Sequence, residues 1–102
     1  DVILYPTTPI AASTIDPTFS GAASINGAAQ PGGPNAQFGT FIRNTDPSSN
    51  AGIPGLSIPA GLNAAGLPVG IEIDGPLGSD KKLISIALAI EKVLGRLAQP
   101  AF

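Results

Sequence analysis

Residues 45–75 read T-D-P-S-S-N-A-G-I-P-G-L-S-I-P-A-G-L-N-A-A-G-L-P-V-G-I-E-I-D-G, and the placing of Pro and Gly in this stretch decides how it folds. Asp46-Pro47 predicts a short helix with Asp46 as N-cap and Pro47 at the first helical position, where a missing N–H costs nothing. Gly52 is placed to end it. Leu56, Ile58 and Ala60 then alternate with Ser57 and Pro59, and Val69, Ile71 and Ile73 alternate with Gly70, Glu72 and Asp74. These are two period-2 strands around the turn Asn63–Gly66, an antiparallel hairpin over Leu56–Asp74. Pro59 cannot donate to a ladder, so a bulge or an unpaired side is expected there.

Working outward, Val2-Ile3-Leu4-Tyr5 is a continuous β-prone run stopped by Pro6-Thr7-Thr8-Pro9. It predicts a central, parallel-type strand covered on both faces, whose neighbours the rest of the chain does not encode. From Ile10 to Gln37 the composition turns to Ala, Ser, Gly and Pro with hardly any periodicity, a long loop that either packs across a neighbouring surface or serves as a linker. Phe38–Asn44 predicts a helical turn or two. Ser79-Asp80 is expected to cap a last helix, with Leu83, Ile86, Ala87, Ile90, Val93, Leu94 and Leu97 on its apolar side and an end at Gly95. Lys81, Lys82, Glu91, Lys92 and Arg96 read as its solvated face.

Composition excludes several kinds of chemistry. Among 102 residues there is no His and no Cys, which removes His-based triads, His-containing zinc sites, thiolate chemistry and disulfides. A net charge of −2, with no basic cluster beyond Lys81-Lys82, offers nucleic acid or an anionic membrane surface no footprint. No apolar run approaches the roughly 20 residues that span a bilayer. The expectation is a soluble, cytoplasmic chain with neither nucleic acid nor membrane as partner. The absence of Met, together with an opening that reads as mid-strand, fits a fragment or a cleaved chain.

Candidate chemistry is sparse. Ser48-Ser49 has no flanking Gly and no Lys on the same element, so a structural role at the start of a helix outweighs a nucleophile. Pro31-Gly32-Gly33-Pro34 lacks the strand, helix and Lys-Ser/Thr of a phosphate loop and reads as a turn. Asp16, Asp46, Glu72 and Asp74 are scattered, and Glu72 and Asp74 alternate with apolar residues as exposed strand positions do. Thr7 and Thr8 leave a strand end where ligands bind in open α/β sheets, though a turn hydroxyl bonded to backbone fits equally.

Asp1-Val2-Ile3-Leu4 with Pro6-Thr7 and Pro9, then Thr45, Pro47, Asn50, Gly52, Pro54 and Pro59-Ala60-Gly61, and finally Gly66-Leu67-Pro68-Val69-Gly70 with Asp80, Leu83 and Glu91, form a series. It resembles the carboxy-terminal part of amidase-signature hydrolases, and Phe41–Thr45 with Ile71–Pro76 look most like the mandelamide and indoleacetamide hydrolases. The resemblance implies one α/β/α domain around a mixed β-sheet, of which residues 1–102 supply a strand, short helix, hairpin and closing helix rather than an independent domain. It implies an amidase in which a Ser, a second Ser in a cis peptide and a Lys act through an acyl-enzyme. Those three belong to an upstream signature, so no catalytic residue is carried over and the upstream part of the enzyme becomes the expected partner. No cofactor and no metal are implied. What the resemblance carries over is a wall of the substrate pocket, with Thr8, Ile42, Thr45, Asn50 and Ile53 as candidates for a small-molecule amide. Two alternatives stay open: the amidase component of a tRNA-dependent amidotransferase, for which Arg43 facing the pocket would be the sign, and a non-catalytic module that binds a partner chain.

Overall fold

The structure, a computed structural model, describes residues 1–13, 24–25, 28–29 and 36–98. In chain order it consists of β1 (Ile3–Pro6), β2 (Ser24–Ile25), β3 (Ala28–Ala29), α1 (Ala36–Ile42), α2 (Asp46–Ala51), β4 (Gly55–Leu62), β5 (Pro68–Asp74) and α3 (Asp80–Leu94). Three strands form one sheet in the order β1-β5-β4, and β2 and β3 pair separately.

The hairpin forms as its alternation predicts. Asn63 organises the turn: its side-chain Oδ1 accepts the N–H groups of Ala65 and Leu67, both at 2.9 Å. Gly66 supplies a φ of 76°, a left-handed conformation that costs a glycine nothing. At Pro59 both expected solutions occur together. The register slips between Pro59 and Gly61 as a bulge. Gly70, opposite Pro59, gives its carbonyl to Thr7 N–H at 3.0 Å, on the side of β1. A strand residue points its N–H and C=O the same way, so the Pro59–Gly70 pair exchanges no bonds and the missing N–H of Pro59 faces the outer edge of β4.

The sheet separates two environments. On one face Ile58, Ile73, Leu83 and Ala87 form the buried core, with Leu56, Ile71, Ile86 and Ile90 packed around it; α3 supplies the helical half of this set because its apolar positions recur at i, i+3 and i+4. The far end of α3 departs from expectation. Val93 is 86% exposed, and Leu94 and Leu97 are exposed as well, although Gly95 and Leu97 share a cleft with Pro59 of β4. Lys81, Lys82, Lys92 and Arg96 are exposed as expected.

Three further expectations are corrected. β1 is not central among the described residues: it pairs with β5 alone, antiparallel, with Ile3 opposite Asp74 and Tyr5 opposite Glu72. Its apolar run forecast burial, yet Ile3 is 65% exposed, since no strand lies on its other side in the described sheet. That sheet is antiparallel throughout, a small α/β unit compatible with part of an amidase domain. The N-cap of α2 is Thr45 rather than Asp46: the Thr45 carbonyl already accepts Ser49 N–H at 3.3 Å, so helical bonding begins one residue early. Ser79 does stand at the N-cap of α3 but makes no side-chain cap bond. Gly52, at φ 65°, and Gly95 end α2 and α3 where expected.

Most of the Ile10–Gln37 loop, and with it the question of whether it packs, lies outside the described residues, as does the Pro31–Pro34 turn. Within it, Gln37 Nε2 donates to Ser13 Oγ at 2.6 Å. No helix among the described residues is long and apolar enough to cross a membrane.

Candidate functional site

The face of the sheet away from α3 is polar. Tyr5, Thr7, Ser57, Glu72 and Asp74 stand on it because each is an even number of residues from the next along its strand or directly opposite in register. Glu72 and Asp74, expected at exposed strand positions, are instead 6% and 5% exposed. Alternation with isoleucine is what a solvated face gives, but it is equally what two differently covered faces give. Here the polar face is covered by its own neighbours and by α2.

Two glycines make that packing possible. A Cβ at residue 55 would lie 2.6 Å from Asp74 Oδ1, 3.2 Å from Glu72 Oε1 and 3.6 Å from Ser48 Oγ; one at residue 70 would lie 2.9 Å from Thr7 Oγ1 and 3.0 Å from Ser57 Oγ. Side-chain oxygens thus occupy the space beside each glycine. The Tyr5 hydroxyl donates to Asp74 Oδ2, and the Thr7 and Ser57 hydroxyls share a hydrogen bond of 2.5 Å. Burial, and then the hydrogen bond to Asp74, push the Tyr5 phenol up to about 12. It is a neutral donor at physiological pH. Burial, and then the neighbouring Asp74 charge, also hold the Glu72 carboxyl above the usual carboxylate range.

Two of the clefts in the structure open at the borders of the sheet. The smaller, about 420 Å³, lies between β1 and α2 and is lined by Tyr5, Arg43, Asn44, Ser48, Ile53 and Asp74 among others. The larger, about 650 Å³, lies where β1 ends beside the hairpin turn, with Thr8, Phe41, Val69 and Ile71 in its wall. Asn44 joins the two regions, its Nδ2 donating to the Pro6 carbonyl at 2.7 Å.

The five candidate residues are divided by this geometry. Ile53 lines the smaller cleft and Thr8 the larger, although Thr8 Oγ1 also donates to Ile10 O at 2.7 Å as a turn hydroxyl would. Ile42, Thr45 and Asn50 line neither cleft among the described residues. Ile42 is at the end of α1 and 38% exposed, Thr45 donates its hydroxyl to the Ile42 carbonyl at 3.2 Å, and Asn50 is exposed on α2. Sequence reasoning missed Tyr5, Ser57, Glu72 and Asp74. The available signal was the pair of glycines facing them across the strands.

No nucleophile is assembled on this face. Ser48 is buried and its Oγ donates to the Thr45 carbonyl at 3.2 Å, and the lysines Lys81, Lys82 and Lys92 all belong to α3, on the other side of the sheet. Among the described residues, no three or more metal-ligating acids, His or Cys come together.

Comparison with known proteins identifies the family. A sequence model of the Amidase family matches residues 1–84, and the chain belongs to that family. It is 47% identical over 97 residues to an indoleacetamide hydrolase of Agrobacterium vitis, covering 92% of this chain and 19% of the relative. It is 48% identical over 101 residues to a mandelamide hydrolase of Pseudomonas putida, covering 98% of this chain and 17% of the relative. One component of a glutamyl-tRNA(Gln) amidotransferase of Rhodospirillum rubrum is 34% identical over 104 residues, covering 100% of this chain and 18% of the relative. The chain therefore spans less than a fifth of the length of these relatives. No solved structure matches it.

Proposed function

We propose that the chain is the carboxy-terminal part of a serine amidase that hydrolyses a carboxamide, an arylacetamide being the favoured class, to a carboxylate and ammonia. The observation that carries this is identity of 47% and 48% to amide hydrolases named for indoleacetamide and mandelamide, sustained over 92% and 98% of the chain. In this reading the Ser nucleophile, the cis-peptide Ser and the Lys base come from the upstream part of the enzyme and act through an acyl-enzyme, which leaves this chain the task of shaping the acyl pocket. Thr8 and Ile53 are its nearest contributors, with Ile42, Thr45 and Asn50 supporting them from α1, α2 and the turn between. Chemistry supports the division of labour: amide cleavage needs an activated nucleophile beside oxyanion donors, and Ser48, bonded to a backbone carbonyl, is not one.

A second reading, an amidotransferase component that binds glutamine, is favoured by one observation. Arg43 lines the smaller cleft, where a guanidinium suits an amino-acid carboxylate. Relative turnover of indole-3-acetamide, phenylacetamide and glutamine by the complete enzyme separates the two. The isolated chain of 102 residues is expected to turn over none of them, while the upstream polypeptide docked against it is expected to act. Hydrolysis by the isolated chain, abolished by Ser48→Ala, would place the active site here and refute the proposal.

A further inference from the structure

The polar face holds an unresolved electrostatic demand. Glu72 and Asp74 are each more than nine-tenths buried, yet Glu72 Oε2 and Asp74 Oδ1 have no hydrogen-bond partner among the described residues. Two carboxylates buried side by side are costly unless protons, donors or a cation answer them. The Tyr5 hydroxyl answers only Asp74 Oδ2. Arg43 lines the cleft that reaches Asp74, but no hydrogen bond from it meets either oxygen.

One of these two oxygens, Asp74 Oδ1, also lies in a cluster of oxygens. Asp74 Oδ1, Glu72 Oε1 and Ser48 Oγ, from two different elements, all lie within 3.6 Å of one point beside Gly55. The three nearest atoms to that point are all hard oxygens, and the carboxylate pair supplies up to two negative charges. That donor set suits a divalent cation of the calcium class, which accepts carboxylate and neutral oxygens in flexible geometry, better than zinc, which prefers nitrogen and sulfur, or magnesium, which demands near-ideal octahedral geometry. We propose that Glu72 and Asp74, assisted by the Ser48 hydroxyl, form a calcium-class cation site that ties α2 to β5 at the wall of the smaller cleft. The site does not rest on the amidase reading, since its ligands are argued from burial and convergence alone, although Ser48 and Asp74 also line the smaller cleft.

The test uses the complete enzyme, stripped of metal with a chelator and titrated with calcium chloride by calorimetry and by thermal unfolding, with magnesium and sodium chloride as comparators. The expected result is saturable calcium binding with a rise in Tm, a dissociation constant at least tenfold weaker in Asp74→Asn, and no binding in the Glu72→Gln/Asp74→Asn double variant. The amide oxygen introduced by Asp74→Asn can still accept the Tyr5 hydroxyl, so the single variant keeps that bond. Absence of heat and of a Tm shift in the unmodified enzyme up to about 10 mM calcium, beyond the weak end of protein calcium sites, would overturn the proposal whatever the variants do. Equal binding by the unmodified enzyme and a folded double variant would overturn it too.

Discussion

The two faces of the β1-β5-β4 sheet come from the same three strands and carry opposite contents. One buries Ile58 and Ile73 beneath α3; the other buries Glu72 and Asp74 beside Tyr5, Ser48 and Gly55. The apolar face is held by non-directional packing, which tolerates small errors of placement and rewards area. The polar face depends on particular donors meeting particular acceptors, and two of its buried acceptors go unmet among the described residues. Stability belongs mainly to the first face, and the second is suited to binding.

The comparison can be broken most directly at its centre. Ile73 is 0% exposed, and Ile73→Ala in the complete enzyme is expected to lower unfolding stability by about 3 kcal/mol, through lost transfer energy and the cavity left behind. Urea unfolding checks this, and a loss within experimental error would deny the apolar face its role.

Gly55→Ala tests the polar face next. Its Cβ would meet Asp74 Oδ1 at 2.6 Å, a carboxylate on a short side chain that gives way only by moving β5 or breaking the Tyr5 bond. A loss of about 2 kcal/mol is expected, as for other overpacked sites, measured by the same unfolding curves. Full stability in this variant would mean the oxygens are not where the glycine allows them.

Glu72→Gln should act in the opposite sense. A carboxyl held above its unfolded value of 4.5 supports the fold fully below that pH and loses this support as pH rises through the folded value. In chelator at pH 7 the ionised side chain is therefore a cost, and the variant is expected to be more stable by about 1 kcal/mol. The advantage shrinks as the pH is lowered toward 4.5. A variant less stable than the parent at both pH values would show that the buried charge is fully answered.

The smallest expected effect on stability is at Ile53, on the smaller cleft. A polar group on a cleft wall can be hydrated where one in the core cannot, so Ile53→Asn should shift the kcat/KM ratio between aromatic and aliphatic amides with little change in Tm. A large fall in Tm with an unchanged ratio would move Ile53 from the cleft wall to the core.

Legibility in the sequence follows the same division. The hairpin, its Asn63 turn, the bulge at Pro59 and the ends of α2 and α3 were all readable, because each is fixed by the backbone preferences of one or two residues. The burial of Glu72 and Asp74 was not, because alternation says which residues share a face and nothing about what covers it. β1 was readable as a strand but its antiparallel pairing with β5 was not, for a related reason: Val2–Tyr5 announces a strand, and its partners are chosen from outside the strand. Of the candidate site, Ile53 and Thr8 fall on clefts, and the residues that depend on pairing across strands escaped.

Pro59 turns its missing donor outward, on the edge of β4 that no described strand covers, and Pro6, which alternates with the inward-bonded Thr7, turns its own outward on the opposite edge of β1. Each open edge of the described sheet thus carries one proline that breaks its row of outward donors. Such a break discourages in-register pairing at either edge, a guard against the strand-to-strand association that an open edge otherwise invites.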